Sequence, residues 1–170
     1  WAIGNVNGGK EAPGEKRTFA TGSTTTVYAL WKTPVTGVSL NKTITALTVG
    51  GNETLQATIT PSNATNQNVD WSSDNDAVAT ENTNGKVTGV ARGKATITVT
   101  TQEGDFQATC TVFVRATGQN IWYVTQAGAG KKDGTSWLNA SPDLREIMTI
   151  AQAGDEIWVA KGTYSPGGNG

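Results

Sequence analysis

The sequence predicts an all-β protein organised around a two-sheet sandwich, and three observations carry that reading. The stretch GKVTGVARGKATITVTTQEGDFQATCTVFV (85–114) alternates with period two. Ala95, Ile97 and Val99 interleave with Thr96, Thr98 and Thr100; after a Glu103-Gly104-Asp105 turn, Phe106, Ala108, Cys110, Val112 and Val114 interleave with Gln107, Thr109 and Thr111. Such a pattern is a half-buried antiparallel hairpin whose apolar face needs a second sheet. Similar short runs recur upstream, punctuated by Gly, Pro and Asn. Finally, 21 Gly in 170 residues, with 36% hydrophobic residues, suits short strands joined by many turns and little helix.

Taken in order, the chain is Gly-rich and weakly patterned until TTTVYALWK (24–32), where Val27, Ala29 and Trp31 share one strand face and Tyr28 and Leu30 the other. One strand cannot bury a face alone, so residues 1–33 are expected to be the tail of a module. Pro34 breaks the strand and marks a boundary. Val38 and Leu40 then begin a short strand, and Thr45 to Val49 carry another before Gly50-Gly51. Glu53 to Thr60 is expected as one strand, with Leu55, Ala57 and Ile59 inward and Pro61 ending it. The polar loop SNATNQN leads to Val69 and Trp71, then to the turn-rich SSDND. Ala77 to Thr80 makes a brief strand, and Asn84-Gly85 is the strongest hairpin signal, since both positions tolerate positive φ. Lys86 to Val90 returns, and Arg92-Gly93 turns into the central hairpin. Short strands at this spacing argue for a sandwich.

The ordered set VSLNKTITALTVGGNETLQATITPSNATNQNVDWSSDNDAVATENTNGKVTGVARGKATITVTT, followed by ATCTVFV, closely resembles the bacterial Ig-like domain, group 2. Its marks are the L-x-V-G before the second strand, the T-P-x-x-A-T loop, the W-S-S corner, the N-G-K-V-T-G-V hairpin and the G-x-A-T-I-T-V strand. Over residues 35–115 the resemblance implies an Ig-like sandwich without a disulfide, carried in tandem on bacterial surface proteins such as intimin- and invasin-type adhesins, with no shared catalytic residues. Upstream, Trp1, Asn7-Gly8-Gly9, Pro13-Gly14, Thr18-Phe19 and VYALWK resemble the last part of the internalin-type B repeat, which implies a partial β-grasp module over residues 1–33.

Beyond Arg115, ATGQN (116–120) reads as a linker, Ile121 to Thr125 as a strand and AGAGKKDGTS as a loop. Ser141-Pro142-Asp143 is a helix start, with Ser as N-cap, Pro in the first helical position and Asp at the positive end. Leu144, Ile147, Met148 and Ala151 fall on one helical face, Gly154 ends the helix, and Glu156 to Ala160 forms a strand. With its G-T-S-W and A-G-D-E-I-W-V-A-K-G-T-Y marks, this string resembles the opening of a right-handed parallel β-helix over residues 121–170. That resemblance implies a capping helix and a first coil, and a coil needs stacked neighbours to bury its face. The chain starts at Trp1 without Met and ends in SPGGNG, so it is expected to be a segment of a larger protein whose catalytic or binding groove lies beyond Gly170.

The chemistry available is narrow. A net charge of −1 supplies no basic face for a phosphate backbone, so nucleic acid is not an expected partner. Histidine is absent and Cys110 is the only cysteine, which removes Cys/His zinc sites, histidine acid–base catalysis and an intrachain disulfide. Cys110 lies on the inward strand face and reads as a small buried hydrophobe, a reactive thiol being the alternative. Asp70, Asp74 and Asp76 lack the Gly and the further acids of a calcium loop and read as turn residues; calcium at the module junction, through Asp133 or Asp155, is the other cation reading. Asp143, Glu146, Asp155 and Glu156 are candidates for a glycosidase pair, but Asp143 is explained by the helix start and Asp155 by a turn after Gly154. Sequons such as Asn41-Lys42-Thr43 and Asn63-Ala64-Thr65 read as polar turns.

Six Trp invite a carbohydrate-platform reading, since sugars stack on exposed aromatic faces. Against it, Trp71 shares a face with Val69 and is expected between the sheets, Trp31, Trp137 and Trp158 sit in structural marks, and one of Trp122 and Tyr123 must point outward. The expected role is therefore a non-catalytic, monomeric spacer or adhesion segment of a bacterial cell-surface or secreted protein, without cofactor, presenting a β-helix to a surface protein or glycan. Two alternatives stand: an accessory domain of a polysaccharide-active β-helix enzyme, or a direct glycan-binding module.

Overall fold

The computed structural model describes residues 2–4, 28–30 and 32–164. In chain order the strands are β1 (Ala2–Gly4), β2 (Tyr28–Leu30), β3 (Gly37–Leu40), β4 (Ile44–Thr48), β5 (Asn52–Thr54), β6 (Ala57–Thr60), β7 (Val69–Ser73), β8 (Ala79–Glu81), β9 (Lys86–Gly89), β10 (Gly93–Thr101), β11 (Gln107–Arg115), β12 (Ile121–Val124) and β13 (Glu156–Val159). A single-turn 3₁₀ segment, Trp137–Asn139, and the helix α1 (Leu144–Ile150) lie between the last two strands. β1 and β2 pair antiparallel. The other residues behind the β-grasp expectation, from Trp1 and Asn7 to Val27 and Trp31, lie outside the described residues.

The protein is all-β, with Ig-like sheets. The long β10–β11 hairpin registers Ala95 with Val112, Ile97 with Cys110 and Val99 with Ala108. β7 adds antiparallel to β10, and β4 adds parallel to β11, giving a four-stranded sheet in the order β4-β11-β10-β7. Opposite it stand β5-β9-β8 and the pair β3-β6. Alternation delivers Ala95, Ile97, Cys110, Val112 and Val114 to one side, where they meet Leu47, Leu55, Val78, Ala79 and Val87 in one buried cluster. At about 1.5–3 kcal/mol for each large aliphatic side chain removed from water, this cluster dominates the stability of the sandwich.

Four expectations need correction. Glu53 to Thr60 is not one strand: it breaks at Leu55-Gln56, so β5 joins one small sheet and β6 the other. Leu55 donates to the Gly85 carbonyl (2.9 Å), while Gln56 is held by Asn41, and those local bonds replace strand pairing. Phe106 is not an inward strand residue but 36% exposed; its ring lies over Gly104, whose φ of +86° closes the turn. The Asn84-Gly85 hairpin forms, yet only Gly85 takes positive φ (74°), because Asn82 organises the turn by accepting from the amides of Asn84 and Lys86 (3.0 Å each). The helix begins later than Ser141: Asp143 is the N-cap, its Oδ1 accepting from Arg145 and Glu146, while Ser141 is buried beside Val124. The buried face of α1 is consequently Ile147 and Ile150, and Met148 is 63% exposed.

Trp71 packs against the core cluster but is only partly buried, because β7 is the edge strand of its sheet. Its indole reaches across to the Gly85 turn: a Cβ at Gly85 would stand 2.6 Å from the ring and 2.5 Å from the Leu55 carbonyl oxygen. Positive φ and this contact together make Gly85→Val destabilising by about 2–4 kcal/mol, read as a lower urea midpoint with an unchanged slope.

Candidate functional site

The second face of the four-stranded sheet is also covered. Val112, Phe113 and Val114 are consecutive and all buried, so β11 carries apolar side chains to both sides. Phe113 meets Trp122, Val124, Ile147 and Ile150 in a second cluster, with Ile44 and Ala46 of β4 packed against it. The rings of Phe113 and Trp122 meet edge to face, 6.0 Å apart at 81°. Arg92 lies over the Trp122 ring, its guanidinium carbon 5.5 Å from the ring centre, and donates to the Ile121 carbonyl. Lys94 passes 5.2 Å from the Phe113 ring to reach both oxygens of Glu146 at 3.0 Å.

At the end of β11, Arg115 forms an ion pair with Asp155 in which the side chains are only 4% and 1% exposed. Nη2 donates to both carboxylate oxygens at 2.8 Å. The same carboxylate accepts from the amides of Asn120 and Gln152 (3.0 Å each) and from the Trp122 indole (3.1 Å). Burial raises the Asp155 pKa, but the Gln152 and Asn120 amides, the Trp122 indole and the Arg115 charge outweigh it and hold the group at about 2, below the usual 3.8. Residues 116–120 are closed by Asn120, which is 2% exposed, accepts from the Ala116 amide (3.0 Å) and donates to the carbonyls of Ala116 (3.3 Å) and Gly118 (2.9 Å).

The residues singled out in the sequence are dispersed by the fold. Asp70 accepts from Gln102 (3.1 Å) and Asp74 from the Thr96 amide (2.7 Å), two separate cross-strand bonds, while Asp76 is exposed. Asp133 turns back onto the Thr135 amide (2.9 Å) and hydroxyl (2.6 Å). Asp155 has its oxygens occupied by five donor contacts, which leaves a junction calcium no lone pair from that residue. Among the described residues no three or more Cys, Asp or Glu converge on a common metal position. Each acid of the suggested glycosidase pair has a different partner: Asp143 the helix start, Glu146 Lys94, Asp155 Arg115, Glu156 the Trp158 indole. Trp122 is the inward member of its pair and Tyr123 the outward one; Trp137 and Trp158 are exposed. Asn41 lies in a turn bonded to Gln56.

Cys110 is fully buried, and burial, aided by the Glu53 charge, pushes its thiol up to about 11. Glu53 was not singled out from the sequence; it bonds Lys42 and accepts from the Thr45 hydroxyl (2.6 Å), and these bonds, Lys42 first, lower its pKa despite partial burial. The Arg115–Asp155 and Lys94–Glu146 pairs were likewise missed. The three consecutive apolar residues before Arg115 are the one local signal that a strand buried on both faces ends in a charge.

Residues 34–112 match the family model of the bacterial Ig-like domain (group 2). An uncharacterised protein of Clostridium acetobutylicum is 42% identical over 80 residues, 46% of this chain and 20% of that protein. The Ig-like virion protein of Serratia phage KSP90 is 43% identical over 81 residues, 47% of this chain and 31% of that one. An alpha-L-arabinofuranosidase of Bifidobacterium longum subsp. longum is 48% identical over 60 residues, 35% of this chain and 6% of the enzyme. The chain thus spans less than a third of the length of each of these three relatives. Among solved structures, domains 1–6 of the surface layer protein SbsC align at 25% identity and a TM-score of 0.43, over 56% of this chain and 15% of that one.

Three outcomes test the junction and the core. Arg115→Ala leaves a buried carboxylate without its cation and is expected to cost about 3–5 kcal/mol in chemical denaturation. Because the Asp155 pKa is depressed on folding, its contribution is complete above about pH 4 and is lost as pH falls toward about 2; an Asp155→Asn variant is expected to flatten that part of an acid titration followed by Trp fluorescence. For Cys110, a disulfide reagent at pH 8 is expected to label the thiol only after unfolding in urea, and fast labelling of native protein would contradict its burial.

Proposed function

We propose that the chain is a non-catalytic segment of a bacterial cell-surface or secreted protein, in which the Ig-like sandwich is a spacer or adhesion module that presents the following unit in a fixed orientation. The observation that carries this reading is the junction. The outer face of the sandwich sheet is occupied by residues 121–164, and Arg115, at the end of β11, is ion-paired with Asp155 just before β13. An element whose task is to hold its neighbour at a set angle needs such a buried contact, since a flexible linker would leave the angle free. The identity of the following unit as the start of a parallel β-helix is supported by the parallel pairing of β12 with β13 across a helical crossover.

Extracellular or surface placement is supported by the group 2 Ig-like match and by the relative that is a virion protein. A second reading, an accessory module of a polysaccharide-active enzyme, is favoured by the arabinofuranosidase that shares 48% identity over 60 residues. Among the described residues no helix is long and apolar enough to cross a membrane.

Residual dipolar couplings on the whole chain test the spacer reading. One alignment tensor is expected to fit both residues 35–115 and residues 121–164, and Arg115→Ala is expected to require two. Two tensors in the unaltered protein would overturn fixed presentation, and turnover of a polysaccharide by this chain alone would overturn the non-catalytic assignment.

A further inference from the structure

On the side of β12 and β13 turned away from the sandwich, three aromatic rings stand in a row that neither core uses. Tyr123 lies 4.9 Å from Trp137 and 5.8 Å from Trp158, meeting them edge to face at 65° and 66°. Parallel register sets Tyr123 beside Trp158, and Trp137 and Trp158 remain 43% and 47% exposed. The turn that carries Trp137 is held by bonds from the Gly134 amide to the Asn139 carbonyl (2.8 Å), from the Asn139 amide to the Ser136 carbonyl (3.1 Å) and from the Lys131 amide to the Asn139 side-chain oxygen (3.1 Å). The Trp158 indole N–H is already donated to Glu156 (2.8 Å), whose other oxygen accepts from the Gln119 amide (3.3 Å).

The geometry points to a binding platform for a neutral polysaccharide strand. Sugar rings carry apolar C–H faces that lie on aromatic rings, and hydroxyls that donate to a carboxylate and accept from an amide. The row offers these in one place: half-exposed rings on Trp137 and Trp158 either side of Tyr123, with Glu156 and Gln119 at its border. The Glu156 charge and the net charge of −1 act against polyanionic glycans and nucleic acid. Because the rings are fixed before any ligand arrives, little side-chain freedom is lost on binding. A further strand laid along β13 would bond through its edge, in the plane of the sheet, and leave this face open. The inference is independent of the spacer reading, and it moves glycan recognition off the sandwich, whose Trp71 is turned to its core.

Affinity electrophoresis of the whole chain in gels containing soluble arabinan, xylan, mannan or mixed-linkage β-glucan tests it. Retardation is expected in at least one gel, weakened at least about fivefold by Trp158→Ala and by Trp137→Ala, each a loss of about 1 kcal/mol. Leu138→Ala, which removes an 82% exposed side chain outside the row, is expected to leave it unchanged. In the unaltered protein, the indole N–H resonances of Trp137 and Trp158 are expected to shift with the retarding polysaccharide while that of Trp71 does not. Three results would each overturn the assignment: no retardation in any gel, retardation of both Trp variants equal to that of the unaltered protein, or a concentration-dependent dimer in sedimentation that Trp158→Ala abolishes, which would make the row a contact between copies.

Discussion

Arg115 and Asp155 are removed from water together, and the arrangement of the chain after the sandwich follows from that pairing. Alone, either charge at that depth would cost several kcal/mol. Paired, with the Asn120 and Gln152 amides and the Trp122 indole completing the carboxylate, they fix three separate pieces of chain: the end of β11, the loop after it and the turn before β13. Hydrophobic contact between Phe113 and Trp122 has no direction of its own; the ion pair supplies one. Lys94–Glu146 and Arg92 over Trp122 repeat the same device on a more exposed scale.

The sheet at the centre is therefore covered on both sides by different means. Its inner side is closed by the two smaller sheets through aliphatic side chains, Val and Leu above all. Its outer side is closed through aromatic and charged groups, with the Arg92 guanidinium over the Trp122 ring and the Lys94 ammonium over the Phe113 ring. The first kind of contact gives cohesion; the second gives a defined seat.

How much of this was legible varied with how local its cause is. The β10–β11 hairpin could be read because alternation is a property of the strand itself, and every inward residue from Ala95 to Val99 is buried. The same rule failed for Phe106, which sits one position outside the strand, where the Gly104 turn sets its direction. Phe113 was legible in principle: three apolar residues in a row cannot all face one core, and a covered outer face is the remaining solution. Whether Trp122 or Tyr123 points inward was not legible, since that is decided by β13, α1 and Phe113, which meet only in three dimensions. The exposed row of Tyr123, Trp137 and Trp158 was hidden for the same reason, its members being brought together by parallel register and a loop. Asp155 could be seen as a turn residue, but its cation lies forty positions upstream in the sequence.

The parallel pairing of β4 with β11 has a mechanical side. Ile44 stands beside Thr111 and Thr48 beside Arg115, so the chain enters the pair at one end and leaves it at the other. Tension applied through the two chain ends would drag these strands past each other along their length, loading every rung of the ladder at once. An antiparallel hairpin pulled from its open end surrenders its bonds singly. This geometry resists stretching in the manner of a lap joint rather than a zip.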